Sequence, residues 1–148
     1  MRPLHAQRGV AAIELGILMI VLVPLVFGIT EFGRAIYQIN TIAKSTRDAA
    51  RFLSSQGPGD PADVDVAKNL AVYGKKTSTG TPLVPNLTTA MVSVCDSASC
   101  PSSHLNIATG SGVINLVTVT VNGYSFTSLV PFVVPNIPFT PISTTMRQ

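Results

Sequence analysis

Arg8-Gly9-Val10-Ala11-Ala12-Ile13-Glu14, followed by apolar sequence as far as Ile29, decides how this chain folds. The twenty residues from Val10 to Ile29 carry one charge, Glu14. At about 1.5 Å per residue, a helix of that length matches the ~30 Å hydrocarbon core of a bilayer. The stretch reads as a membrane helix. A secretory signal would have a shorter apolar run and a small-x-small cleavage site at its far end, but Gly28-Ile29-Thr30-Glu31-Phe32-Gly33 continues as helix-compatible sequence. The glycine that suits a processing site stands at the near end, directly after Arg8.

Glu14 gives that glycine its meaning. A carboxylate one turn inside a membrane helix costs about 2.5–3.5 kcal/mol on insertion scales, so it must be neutralised, sit among headgroups or meet a cation. Cleavage after Gly9 creates the cation: Val10 becomes the first residue, with a free amino group, and Glu14 the fifth, one helical turn away.

A basic residue and glycine, four apolar or small residues, a glutamate and an unbroken apolar helix resemble the site at which prepilin peptidases cut type IV pilins and pseudopilins. The continuation, Gly28-Ile29-Thr30-Glu31-Phe32-Gly33-Arg34-Ala35 and later Thr46-Arg47-Asp48-Ala49-Ala50-Arg51, is similar to TadE-like pseudopilins of tight-adherence (Flp, type IVc) pilus systems. So is the closing stretch Ile142-Ser143-Thr144-Thr145-Met146-Arg147, although the resemblance is closest from Arg8 to Phe52. The family usually has an aromatic residue after the glutamate, where this chain has Leu15. The resemblance implies a minor pseudopilin without enzymatic activity, inserted in the inner membrane and cut after Gly9 by a prepilin peptidase. Its N-terminal helix would assemble with other pilin and pseudopilin subunits and with the inner-membrane assembly platform. Glu14 would dock on a neighbouring subunit's N-terminal amine.

The composition agrees with one anchored domain. A chain of 148 residues with a membrane helix leaves enough for one small domain. Only 11% of residues are charged and 46% are hydrophobic, which excludes a disordered tail. The net charge of +3 includes Arg2 and Arg8; without them eight basic residues face seven acids, a net +1. No basic patch fit for a phosphate backbone remains, so no nucleic-acid partner is expected. Arg2 and Arg8 precede the helix while Arg34, Lys44, Arg47 and Arg51 follow it, which leaves the positive-inside rule equivocal. Cys95 and Cys100, an even pair in a Ser-rich loop, point to an oxidising compartment and so to a periplasmic C-terminal domain.

The chain then divides into a leader (1–9), a transmembrane helix (10–30), a periplasmic continuation of that helix (31–56) and a periplasmic domain (57–148). Pro3 breaks any helix in the leader, and Pro24 predicts a kink or melted turn around Ile20–Pro24. Beyond the bilayer, Phe32, Ile36, Ile39, Ala43, Thr46, Ala50 and Leu53 recur at helical spacing, with Glu31, Arg34, Lys44, Arg47, Asp48 and Arg51 around them. The later part of that seam is expected to pack the protein's own sheet, and the part near the membrane, from Phe32, to pack partner subunits. Gly57-Pro58-Gly59 ends the helix.

Asp60-Pro61-Ala62-Asp63 starts a second helix, with an N-cap, a proline at the first position and an acid in the first turn. It runs to about Tyr73, turns Val64, Ala67, Leu70 and Ala71 inward, and stops at Gly74. Lys75–Thr89 is a loop. Met91–Cys95 and Val113–Val121 alternate as strands and are expected to pair antiparallel around the cysteine loop. Pro135, Pro138 and Pro141 suit an extended, polyproline-like crossing to a last strand, Ile142–Arg147. The expected fold is α+β and pilin-like, with an antiparallel sheet of three or more strands.

Cys95, Cys100 and His104 could offer three metal ligands, yet no convincing fourth exists, since His5 is in the leader. A disulfide is the simpler reading, worth on the order of 2 kcal/mol by the chain-entropy account, with His104 left as a solvated loop residue. No metal or cofactor is expected. No nucleophile motif, phosphate loop or carboxylate pair stands in the exported part, so no enzyme is expected either. The rival reading is a membrane-tethered periplasmic binding or adhesin module, meeting a ligand through Lys75–Thr89 and Asp96–Gly112. A signal-anchored periplasmic enzyme is a third.

Overall fold

The computed structural model describes residues 5–148, and side chains from Gly9 onward. The leader residues Arg2 and Pro3 lie outside the described residues. Helix α1 spans His5–Ser54, and helix α2 spans Pro61–Tyr73. They are followed by a 3-10 turn at Thr89–Met91, strand β1 (Val92–Cys95), the short helix α3 (Pro101–His104), and strands β2 (Ile107–Thr109) and β3 (Gly112–Ile114). Strands β4 (Leu116–Val121), β5 (Ser125–Phe126), β6 (Ile137–Pro138) and β7 (Ile142–Arg147) complete an α+β fold.

Two compact units result. One holds residues up to Ile36 together with Thr127–Asn136, and the other holds Tyr37–Phe126 with Ile137–Gln148. In the first unit every large apolar side chain from Val10 to Ile29 is exposed. Water does not tolerate so long an apolar belt on a monomer, whereas lipid does. The helix is thus long and apolar enough to cross a membrane once. It stays α-helical through Pro24, so no turn melts at Ile20–Pro24. Thr30 returns its hydroxyl to the helix, donating to the carbonyls of Phe27 at 2.9 Å and Val26 at 3.2 Å.

The second unit is built on a three-stranded sheet in the order β1-β4-β7, antiparallel on both sides of β4. Val92 faces Val121 and Cys95 faces Thr118 across one ladder; Leu116 faces Arg147 and Val121 faces Ile142 across the other. Strict alternation along β4 sends Val117, Val119 and Val121 inward. There they join Ile42, Ala49, Ala50 and Leu53 of α1, Ala67, Ala71 and Val72 of α2, and Val84 and Leu87 of the intervening loop in one core. Asp60 caps α2, its carboxylate accepting from Ala62 N–H at 2.8 Å. At the other end Gly74, at φ 67°, takes the left-handed conformation that a side chain would oppose, and donates to the Leu70 carbonyl at 3.0 Å.

Two expected elements come out differently. The stretch Val113–Val121 is two strands, because Asn115 leaves the ladder. Its side chain accepts from Asn106 N–H at 3.0 Å and its carbonyl from Gln148 N–H at 2.9 Å. Residues 112–114 therefore pair with 107–109, and 116–121 with the main sheet. The proline crossing is extended but not unpaired: Ile137–Pro138 pairs with Ser125–Phe126, and Phe139 N–H donates to the Tyr124 carbonyl at 2.9 Å.

Candidate functional site

Three places carry chemistry that hydrophobic packing does not explain. The first is the head of α1. Gly9 lies in the helix, and a side chain there would meet nothing within 4 Å, so the fold itself does not require glycine at this position. Val10 and Glu14 are four residues apart and so share one face on adjacent turns. Glu14 is exposed, and among the described residues no hydrogen bond or ion pair reaches it.

The second place is a row of buried polar residues farther along α1. Glu31 is 3% exposed. One of its carboxylate oxygens pairs with Arg34, and the other accepts the Leu129 N–H at 2.9 Å. In the second unit Gln38 is buried beneath Tyr124, whose hydroxyl lies 2.9 Å from Gln38 Oε1 and donates to the Pro85 carbonyl at 2.9 Å. Ser45 and Thr46, also buried, return their hydroxyls to the Ile42 carbonyl.

The third place is the cysteine loop. Cys95 and Cys100 are joined by a disulfide, which leaves no thiolate for a metal although the sulfurs and a His104 ring nitrogen lie within 4.8 Å of one another. Asp96, inside the loop, accepts N–H groups from Ser99 at 2.7 Å, Gly59 at 2.8 Å and Ala98 at 3.1 Å, and the Ser99 hydroxyl at 2.8 Å. Burial alone would push its carboxyl up. The donations from Ser99, Gly59 and Ala98 outweigh burial and hold it below the ordinary carboxylate value. Gly59, at φ 82°, takes a left-handed conformation that strains any side chain, and a Cβ there would also stand a close 3.0 Å from that of Ala98. His104 is not a solvated loop residue. It ends α3, with Nε2 2.8 Å from the Thr118 hydroxyl and Nδ1 2.7 Å from that of Ser103. A hydroxyl, not a carboxylate, thus meets the ring nitrogen that a catalytic base would need oriented.

Residues 9–51 match the family model of TadE-like proteins. Over this segment the chain is similar to TadE-like proteins. No curated protein and no solved structure matches it. TadE-like proteins are components associated with the Tad pilus and are not known as an enzyme family.

The TadE-like segment includes the first place and most of the second, and ends before the cysteine loop. Within it, the face that buries is not the one marked by apolar residues. Phe32 and Ile36 are 60% and 45% exposed, Ile39 is exposed and Ala43 half-buried, while Glu31, Ala35, Gln38 and Ile42 are buried. The later seam residues Thr46, Ala50 and Leu53 are buried as expected. Glu31, Gln38, Tyr124 and Asp96 escape a reading by hydrophobic periodicity because each also has a partner far away in sequence: Leu129 for Glu31, Tyr124 and Gln38 for each other, and Gly59 for Asp96. A faint signal exists only for Asp96, a carboxylate beside a cysteine and followed by two residues with small side chains that leave their N–H groups accessible.

Proposed function

We propose that this chain is a minor pseudopilin of a Flp-type pilus system. It is inserted in the inner membrane, with the domain after the helix in the periplasm, and is cut after Gly9 by a prepilin peptidase. The cut leaves Val10 as the N-terminus. The observation that carries the reading is the order Arg8, Gly9, four uncharged residues, Glu14 at the head of a membrane-length helix, inside the segment matched by the TadE-like family. The mature amine and Glu14 are complementary charges on one face of α1. In lipid, each lowers the cost of the other, and a neighbouring subunit's amine can replace the chain's own.

Phe32, Ile36 and Ile39 then form a helix face toward partner subunits, since they are apolar and the protein's own core leaves them exposed. The partners in this reading are other pilin and pseudopilin subunits and the assembly platform. Mass spectrometry of the protein taken from its native membranes tests it. The expected N-terminus is Val10, and replacing Gly9 by a bulky residue should leave the folded domain intact but block processing. Intact Met1–Gly9 in functional assemblies would count decisively against the pseudopilin and favour a membrane-tethered binding module.

A further inference from the structure

The segment Leu129-Val130-Pro131-Phe132-Val133-Val134-Pro135 is seven apolar residues without a charge. Leu129 and Phe132, at 75% and 85%, are the most exposed large apolar side chains among the described residues. The segment is not loose. It is fixed to α1 where the apolar belt ends: Leu129 N–H donates to Glu31, and Val133 Cγ1 lies 3.8 Å from the place a Cβ would take on Gly28. Ser128 and Asn136 brace its two ends, the Asn136 side chain accepting from Ser128 N–H at 3.1 Å and the Ser128 hydroxyl from Val130 N–H at 3.1 Å. The N–H groups of Val133 and Val134 both turn back to the Val130 carbonyl, at 2.9 Å and 3.0 Å.

Two features select lipid as the occupant of this surface. Pro131 and Pro135 have no N–H, and four of the five N–H groups between Leu129 and Pro135 donate within the protein, as contact with hydrocarbon requires and contact with water does not. The loop is also continuous with the exposed apolar belt of α1, meeting it at Gly28–Glu31, the level at which a helix crossing from Val10 to Ile29 leaves the hydrocarbon. Among the described residues the charges at that junction, Glu31 and Arg34, are paired with each other. We infer that the 129–135 loop is a second, interfacial membrane anchor, with Leu129 and Phe132 inserted among the lipid chains next to the point where α1 emerges. The inference rests on the membrane-spanning reading of α1.

The chain contains no tryptophan, so a single introduced one reports its own surroundings. Full-length Phe132→Trp and, separately, Phe27→Trp within the apolar helix are reconstituted in vesicles of lipids brominated near the top of the acyl chains. Leu129→Trp serves as a second reporter of the loop should Phe132→Trp not fold. The expected result is a blue-shifted emission and loss of most of the fluorescence to the brominated lipid for the loop reporter as well as for Phe27→Trp. If Phe27→Trp is quenched while both loop reporters keep a water-like emission, the helix spans the bilayer and the anchor is refuted. If the loop reporters are shielded only when co-purified pilus subunits are added, the surface belongs to a protein and the anchor is again refuted. If Phe27→Trp itself escapes quenching, the membrane reading falls, and the inference with it.

Discussion

At the scale of single residues, Asp96 shows how one carboxylate organises a loop that a disulfide closes. Four donors converge on it from Gly59, Ala98 and Ser99, and it is 4% exposed. Removing the acceptor leaves three part-buried N–H groups without it, so Asp96→Ala should cost about 1–3 kcal/mol, read from urea denaturation of the full chain in detergent. The pH dependence follows from the direction of the shift. The folded carboxyl lies below the ordinary value, so as pH falls the unfolded chain takes up its proton first. The stabilisation is present above the ordinary carboxylate range and is lost as pH falls through it toward the folded value. Wild-type denaturation midpoints should drop over that range, and Asp96→Asn should flatten the drop. A similar test applies to Tyr124: Tyr124→Phe leaves the buried Gln38 side chain and the Pro85 carbonyl short of a partner and should cost about 1–2 kcal/mol.

At the scale of elements, α1 shows what could be read from the chain and what could not. The span, the capped start of α2 at Asp60 and its stop at Gly74, the pairing of β1 with β4, and the last strand all follow from local rules: apolar length, cap chemistry and alternation act within a few residues. The buried face of α1 near Glu31 and Gln38 does not. A polar side chain is buried there only because Leu129 N–H and Tyr124 hydroxyl arrive from distant loops, and no period in the helix announces them. The two faces make opposite predictions. Ile42, fully buried in the core, should cost about 2–5 kcal/mol when cut to alanine, because a cavity remains. Phe32→Ala and Ile36→Ala, on exposed positions, should change stability by only about ±0.5 kcal/mol. Their expected effect is weaker co-purification of partner subunits from membranes. Equal losses of stability at both faces would remove the partner-facing role of Phe32 and Ile36.

At the scale of the whole molecule, the proposed function assigns assembly to the N-terminal helix, while the buried core of the second unit carries stability, and Glu14 is where the two can be separated. Among the described residues the core cluster of the second unit begins at Ile42, and Glu14 belongs to the first unit. Glu14→Gln should therefore leave the Cys95–Cys100 disulfide and the protease resistance of the domain unchanged. Insertion should not suffer either, since a neutral amide costs less in lipid than an unpaired carboxylate. What the substitution removes, in the proposed reading, is the charge that answers a mature N-terminal amine, and losing one member of such a pair in a desolvated setting typically costs about 3–5 kcal/mol. That is enough to abolish an association that depends on it, since about 1.4 kcal/mol is already tenfold. The variant should be inserted, cut after Gly9, folded, and absent from pull-downs of partner pilins. Undiminished assembly by Glu14→Gln, with Val10 still found as its N-terminus, would strip Glu14 of a docking role and leave it a charge held among the headgroups.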